Sequence, residues 1–227
     1  MSVPAGKLYV VSTPIGNLKD ITFRAVEALK EADVILCEDT RHSKTLFHTY
    51  GIHKPTESYF EGNEKARVPG LIERLKEGQT IAIITDAGTP GIQDPGYRLI
   101  HACSAEGIPV LTVPGPSAVI AALSISGLPT DRFVFEGFLP VKPGQRNKTF
   151  ERWKAEERTV IFYESPYKLI KHLTEMKEAM GDIRIVVARE LTKKFEEVVQ
   201  GRISEILEKF SRGKVLGEFV ILFHLAD

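Results

Sequence analysis

Four segments carry most of the residues whose types and spacing could hold a small molecule. They are residues 13–20 (Thr-Pro-Ile-Gly-Asn-Leu-Lys-Asp), 38–41 (Glu-Asp-Thr-Arg), 86–96 (Asp-Ala-Gly-Thr-Pro-Gly-Ile-Gln-Asp-Pro-Gly) and 113–118 (Val-Pro-Gly-Pro-Ser-Ala). Glycine and proline fix backbone shapes and let a ligand approach main-chain N–H and C=O groups closely. One such loop is usually a structural turn. Four of them, each following a strand, make a binding edge for an extended ligand an equal reading. Several chemistries are absent. There is no G-x-x-x-x-G-K-[ST], no G-x-G-x-x-G after the first strand, no G-x-S-x-G and no H-E-x-x-H. His42 and His48 lie near Glu38 and Asp39, but six-residue spacing fits solvated helix histidines better than a metal site, and no metal is expected.

A second group lies at residues 142–154. Lys142, Arg146, Lys148, Arg152 and Lys154 face only Glu151, a net charge of +4, and Phe150 and Trp153 interleave with them. Cations with aromatics between them suit a polyanion that has unpaired bases. Pro143 and Gly144 at its start predict a mobile flap; the alternative is a solvated helix with Trp153 in the core. Lys193 and Lys194 extend the same cationic face.

Elements must position these groups. Residues 7–12, 34–37, 80–85 and 109–112 read as strands. Residues 22–31 have helical spacing, with Phe23, Ala25, Val26 and Leu29 to one side and Thr22 as N-cap. Residues 41–50 and 94–106 are also helical, stopped by Gly51 and Gly107. This alternation predicts a parallel α/β sheet, in which ligands collect at the carboxyl ends of strands, where the four loops fall. A small-residue helix opens at residues 115–118. Strands follow at 132–136, 159–163, 183–188, 196–200 and 218–224, with helices at 167–180 and 203–210. Two of these strands are separated only by residues 191–194, which predicts a mixed second sheet. The expected architecture is two α/β domains, residues 1–115 and 116–227.

Composition bounds the function. The 227 residues are 43% hydrophobic and 26% charged, ordinary for a soluble globular chain. Lys plus Arg and Asp plus Glu are both 30. A protein that coats nucleic acid with its whole surface is clearly basic, so a polyanion must be met locally. Cys37 and Cys103 form neither a disulfide framework nor a zinc pattern, which points to a reducing cytoplasm. Residues 114–128 are too short for a membrane span of about 20 residues, and residues 1–6 have no signal-peptide core.

The motifs resemble the tetrapyrrole methylase superfamily, and within it the branch that methylates the cytidine 2′-oxygen of small-subunit ribosomal RNA. Residues 12–22, 37–43, 85–96 and 114–118 carry the likeness, and 135–140 (Phe-Glu-Gly-Phe-Leu-Pro) and 189–197 extend it. Three departures stand out. Gln93 replaces a frequent serine, residues 58–64 lack a histidine, and the first loop lacks the G-x-G-x-G-D-like form of tetrapyrrole-acting relatives. The resemblance implies S-adenosylmethionine in a cleft between two α/β domains, a homodimer, and methylation of a decoding-region cytidine in 16S rRNA, free or within the assembled small subunit. Two alternatives remain: a methyltransferase of a small tetrapyrrole, which leaves residues 142–154 without a task, and a silent RNA- or nucleotide-binding module on the same scaffold.

By the same resemblance, Gly88, Thr89, Pro90, Gly91, Ile92, Ser117 and Ala118 are cofactor contacts. Ile15, Tyr163, Ala188 and Glu218 follow from the superfamily pattern, although core packing explains the first three equally well. Lys142, Arg146, Lys148, Arg152 and Lys193 are the RNA contacts. A ribose hydroxyl needs a proton acceptor. Glu38, Asp39, Glu61, Glu64 and Glu190 are available, and Asp39, with Arg41 beside it, is preferred because it follows a buried strand in a polar cluster. The alternative is that Asp39 simply caps the next helix.

Overall fold

A computed structural model describes residues 6–225. The chain divides into two compact units, one through Ser117 and one from Ala118.

The first unit holds β1 (Lys7–Val11), α1 (Phe23–Glu31), β2 (Val34–Cys37), α2 (Thr40–Tyr50), β3 (Thr56–Ser58), α3 (Glu64–Lys76), β4 (Thr80–Ile84), α4 (Tyr97–Ala105) and β5 (Val110–Val113). The sheet order is β3-β2-β4-β1-β5, and every pairing is parallel. Helices cover both faces, so alternate residues of each strand enter different cores. Leu8, Val10, Leu36, Ile81 and Ile83 pack with Leu71 and Leu75 of α3 and Leu99 of α4. Val11, Ile35, Cys37, Ala82 and Ile84 pack with Leu29 of α1 and Phe47 of α2.

Two elements escaped sequence reading. The edge strand β3 has three residues, two of them exposed, and so no hydrophobic run. Helix α3 contains Pro69, followed by Gly70, which usually break helices. It persists because Leu71, Ile72 and Leu75 are buried. Two expectations need correction. Phe23 is 92% exposed, and α1 instead buries Ala25, Ala28 and Leu29. Helix α4 starts at Tyr97 rather than at residue 94, because Gly96 takes φ 142°, which is outside the helical region.

The second unit holds α5 (Ala118–Ile125), β6 (Phe133–Phe138), α6 (Pro143–Trp153), β7 (Thr159–Glu164), α7 (Leu169–Met180), β8 (Arg184–Arg189), β9 (Glu197–Arg202), α8 (Ile203–Ser211) and β10 (Phe219–Phe223). The order is β6-β7-β10-β8-β9. Only β6 and β7 pair in parallel, so the sheet is mixed. Val160, Phe162, Ile185, Val187, Phe219, Ile221 and Phe223 point to one face and pack with residues of α6, α7 and α8. Helix α5 packs against β7 and β10.

The mobile flap is overturned. Residues 143–153 form α6, and Phe150 and Trp153 are 0% and 1% exposed. The Trp153 ring lies 5.2 Å from Phe162 and 5.3 Å from Phe223, between centroids. Neither aromatic is open to a nucleobase.

Candidate active site

The carboxyl ends of the first unit's parallel strands carry the loops singled out in the sequence, and hydrogen bonds tie three of them together. Thr13 N donates to Gly88 O at 2.9 Å, and Gly88 N to Thr13 O at 3.1 Å. Ser12 Oγ and Thr89 Oγ1 are 2.8 Å apart. Thr13 Oγ1 donates to Thr85 O at 3.1 Å. Thr89 Oγ1 donates to Pro116 O at 3.5 Å. The loop after β5 approaches so closely that a Cβ added at Gly115 would lie 3.0 Å from Ser12 Cβ.

Residues 86–96 curl back on themselves. Ile92 N donates to Thr89 O at 3.2 Å and Gly91 N to Pro95 O at 3.1 Å. Gly88, Gly91 and Gly96 adopt φ of 85°, 84° and 142°, and Gln93 adopts 66°. Positive φ is nearly free for glycine and strained for glutamine, by about 1 kcal/mol. Glu64 is buried and accepts from Gly96 N at 2.8 Å. This carboxylate therefore anchors the loop's end.

The preferred proton acceptor is already engaged within the fold. Asp39 caps α2, accepting from Arg41 N at 2.8 Å, and holds the Arg41 guanidinium at 2.8 and 3.1 Å. Arg41 lowers the Asp39 pKa to about 2, which makes it a weak base. A stronger one lies nearby. Asp39 N donates to Asp86 Oδ1 at 3.2 Å and Asp86 N to Glu38 Oε2 at 3.4 Å, so the loops after β2 and β4 are joined. Burial raises the Glu38 pKa. Burial, then the negative charges of Glu38 and Asp86, push Asp94 up to about 7. Asp94 escaped sequence reading because its partners converge only once β2 and β4 are neighbours.

Gly88, Thr89 and Pro116 are therefore assembled in the first unit, with Ile15 beside Gly88. In the second, Tyr163 and Ala188 both pair with Val220, forming one cross-strand row. Ala118 opens α5. Glu218 is exposed and binds Lys193 Nζ at 2.9 Å. Lys193 also binds Glu190 at 3.0 Å. Two carboxylates thus take up the charge expected of Lys193 as an RNA contact, and Glu190, a candidate proton acceptor, is itself held by Lys193.

The cationic segment needs a second correction. Arg146 is 1% exposed and cannot be a surface contact. Its guanidinium meets the Glu175 carboxylate at 2.5 and 2.9 Å and donates to Pro140 O and Val141 O at 2.8 and 3.1 Å. It clamps the β6–α6 loop. Arg152 is exposed but pairs with Glu136 at 2.6 Å. Lys142 and Lys148 are exposed, with no ion pair among the described residues.

A parallel sheet with glycine-built loops at its carboxyl edge, followed by a mixed α/β unit, defines a class. The chain belongs to the tetrapyrrole (corrin/porphyrin) methylases, whose family model matches residues 7–207. It is 46% identical over 217 residues to "Ribosomal RNA small subunit methyltransferase I" of Thermotoga maritima, covering 96% of this chain and 97% of that protein. The fold matches diphthine synthase with a TM-score of 0.75 at 17% identity, over 96% of this chain and 90% of that one. It also matches uroporphyrin-III C-methyltransferase from Thermus thermophilus complexed with S-adenosyl homocysteine, with a TM-score of 0.62 at 20% identity, over 96% and 97%.

Proposed function

We propose that this chain is an S-adenosylmethionine-dependent methyltransferase of small-subunit ribosomal RNA, acting on the ribose 2′-oxygen of a cytidine. The observation that carries the reading is near full-length likeness to the Thermotoga protein, named for methyl transfer to that RNA.

The residues of the first unit fit the cofactor. Gly88 turns at positive φ, and a Cβ there would lie 3.6 Å from Ile15 Cγ2 and 3.9 Å from Pro116 O. The Thr85 hydroxyl is buried beside Asp94, and Ser12 and Thr89 offer two more hydroxyls at the same edge. Ile15, Gly88, Thr89, Pro90, Gly91, Ile92 and Ser117 would hold the neutral adenosyl part largely through backbone and apolar contacts. Ala118, Tyr163, Ala188 and Glu218 are further candidates from the superfamily pattern. When bound, S-adenosylmethionine supplies an electrophilic methyl carbon on sulfur. The chain must align the attacking oxygen and receive its proton. Alignment alone supplies much of the rate. Asp94 is the acceptor this edge favours, since its proton affinity is matched to neutral pH. Asp39 and Arg41 orient the substrate through their fixed ion pair.

Lys142 and Lys148 remain as phosphate contacts, with Arg152 and Lys193 secondary because carboxylates engage both. The substrate is the decoding region, free or in the assembled subunit, and the enzyme works as a homodimer in the cytoplasm. Among the described residues no helix is long and apolar enough to cross a membrane.

Incubation with labelled methyl donor and either small subunits or naked 16S rRNA, with mapping of the labelled nucleotide, tests the reading. A 2′-O-methylated cytidine is expected. Label on a porphyrinoid instead of RNA would overturn it.

A further inference from the structure

Strand β6 ends in an irregularity that has a consequence for binding. Phe135 pairs with Ile161 and Phe138 with Tyr163, so three steps on β6 oppose two on β7. In a regular strand, residues three apart point to opposite faces. The extra residue returns Phe138 to the face of Phe135, and Gly137, at φ 67°, makes the turn possible. Val134, Val160 and Phe162 belong to the face packed on α6, α7 and α8. Phe135, Phe138 and Tyr163 therefore share the opposite face. Tyr163 stands edge-on to both, at 4.9 Å from Phe135 and 5.5 Å from Phe138 between ring centroids.

The Phe138 ring is buttressed on one side, yet Phe138 is 53% exposed. Val141, three residues on, is 77% exposed, and Lys142 next to it is exposed without an ion pair among the described residues. The loop between them is held from within. Leu139 is buried, and Arg146 holds the carbonyls of Pro140 and Val141. Four residues of chain keep Phe138 and Lys142 within about 14 Å of each other, a span of one or two nucleotides.

We infer that Phe138 is a stacking platform for an unpaired nucleobase of the RNA substrate, with the Lys142 ammonium neutralising an adjacent phosphate. An aromatic face beside a cation is the arrangement by which single-stranded RNA is held. Pre-setting both groups removes the entropy of ordering them on binding. This assignment rests on the reading of the chain as an RNA methyltransferase, and it replaces Phe150 and Trp153, which the core buries. Arg146 acts here as a positioning residue.

The test uses the full chain and naked 16S rRNA at fixed low salt, with Phe138→Ala, Phe138→Tyr and Lys142→Ala. Phe138→Ala is expected to weaken RNA binding about tenfold, and Phe138→Tyr to restore it to within about twofold. Lys142→Ala is expected to lower the slope of log affinity against log salt by about one. Affinity for S-adenosylmethionine, sedimentation mass and melting temperature should be unchanged in all three. An unaltered RNA dissociation constant for Phe138→Ala overturns the assignment. So does lost cofactor affinity, which would place the ring against the cofactor, or a changed mass, which would place it between copies of the chain. Wild-type protein that neither binds nor methylates the RNA overturns the functional reading itself, and this one with it.

Discussion

The loop after β4 and the loop after β6 each present functional groups, yet they are held by opposite means. The β4 loop is built from backbone. Three glycines and Gln93 sit at positive φ, and main-chain bonds to Thr13 and within the loop are joined by bonds to the Ser12, Glu38 and Glu64 side chains. The β6 loop is built from a buried side chain, since Arg146 ties its carbonyls to Glu175 on α7. A glycine loop leaves space beside the main chain, where a small cofactor can approach closely. A clamped loop instead presents side chains outward, which suits a large polyanion. On the proposed function, the difference lets a chain with no net charge still meet RNA at one place.

The two mechanisms break differently. The largest effect is expected for Arg146→Ala, which removes the buried member of a partly buried ion pair and orphans two carbonyls. A loss of about 3–5 kcal/mol in urea unfolding is expected, with Arg146→Met losing less. A loss under about 1 kcal/mol would mean the β6 loop needs no clamp. Next is Gly96→Ala, whose Cβ would lie 3.2 Å from Gly91 N at a φ of 142°. A cost of about 1–3 kcal/mol is expected, together with weaker S-adenosylmethionine binding by titration calorimetry. Unchanged stability would show that the β4 loop does not need a glycine at position 96.

Asp94 supplies a pH test. Its folded pKa of about 7 exceeds its unfolded value of 3.8, so between those values the folded state holds more protons. The contribution of Asp94 to stability must then fall as pH rises from about 4 to about 7. Asp94→Asn removes that fall. Above pH 7 the variant should be more stable by about 1 kcal/mol, after allowance for solvent screening, and the gain should vanish below about pH 4. Melting curves across this range decide it. The same variant should slow single-turnover methylation. The smallest stability effect is expected for Asp39→Asn. Asparagine still caps α2, and the exposed pair with Arg41 contributes little because solvent screens it. Its single-turnover rate, with cofactor binding confirmed, separates orientation from capping: a near wild-type rate would leave Asp39 as a cap alone.

Legibility followed the same divide. The β-branched runs of β1, β2 and β4 announce themselves because fully buried parallel strands are hydrophobic throughout. The loops that follow were equally visible, since positive φ demands glycine wherever the turn is tight. β3 was too short and exposed to show, and Pro69 masked α3. Arg146 was misread because a basic residue among basic residues looks solvated, and its partner Glu175 is 29 positions away. Phe138 was passed over because its face depends on a bulge, which no alternation pattern reveals.

By itself the sequence determined the family, the two α/β units and the neutral loops at the strand ends, because these rest on local chemistry and on motifs contiguous in the chain. Only the tertiary structure decided which charges stay available. Burial and ion pairing are set by neighbours distant in sequence: they withdrew Arg146, engaged Asp39 and Lys193, and raised Asp94. They also left Lys142 exposed on the loop that follows an aromatic ring half open to solvent.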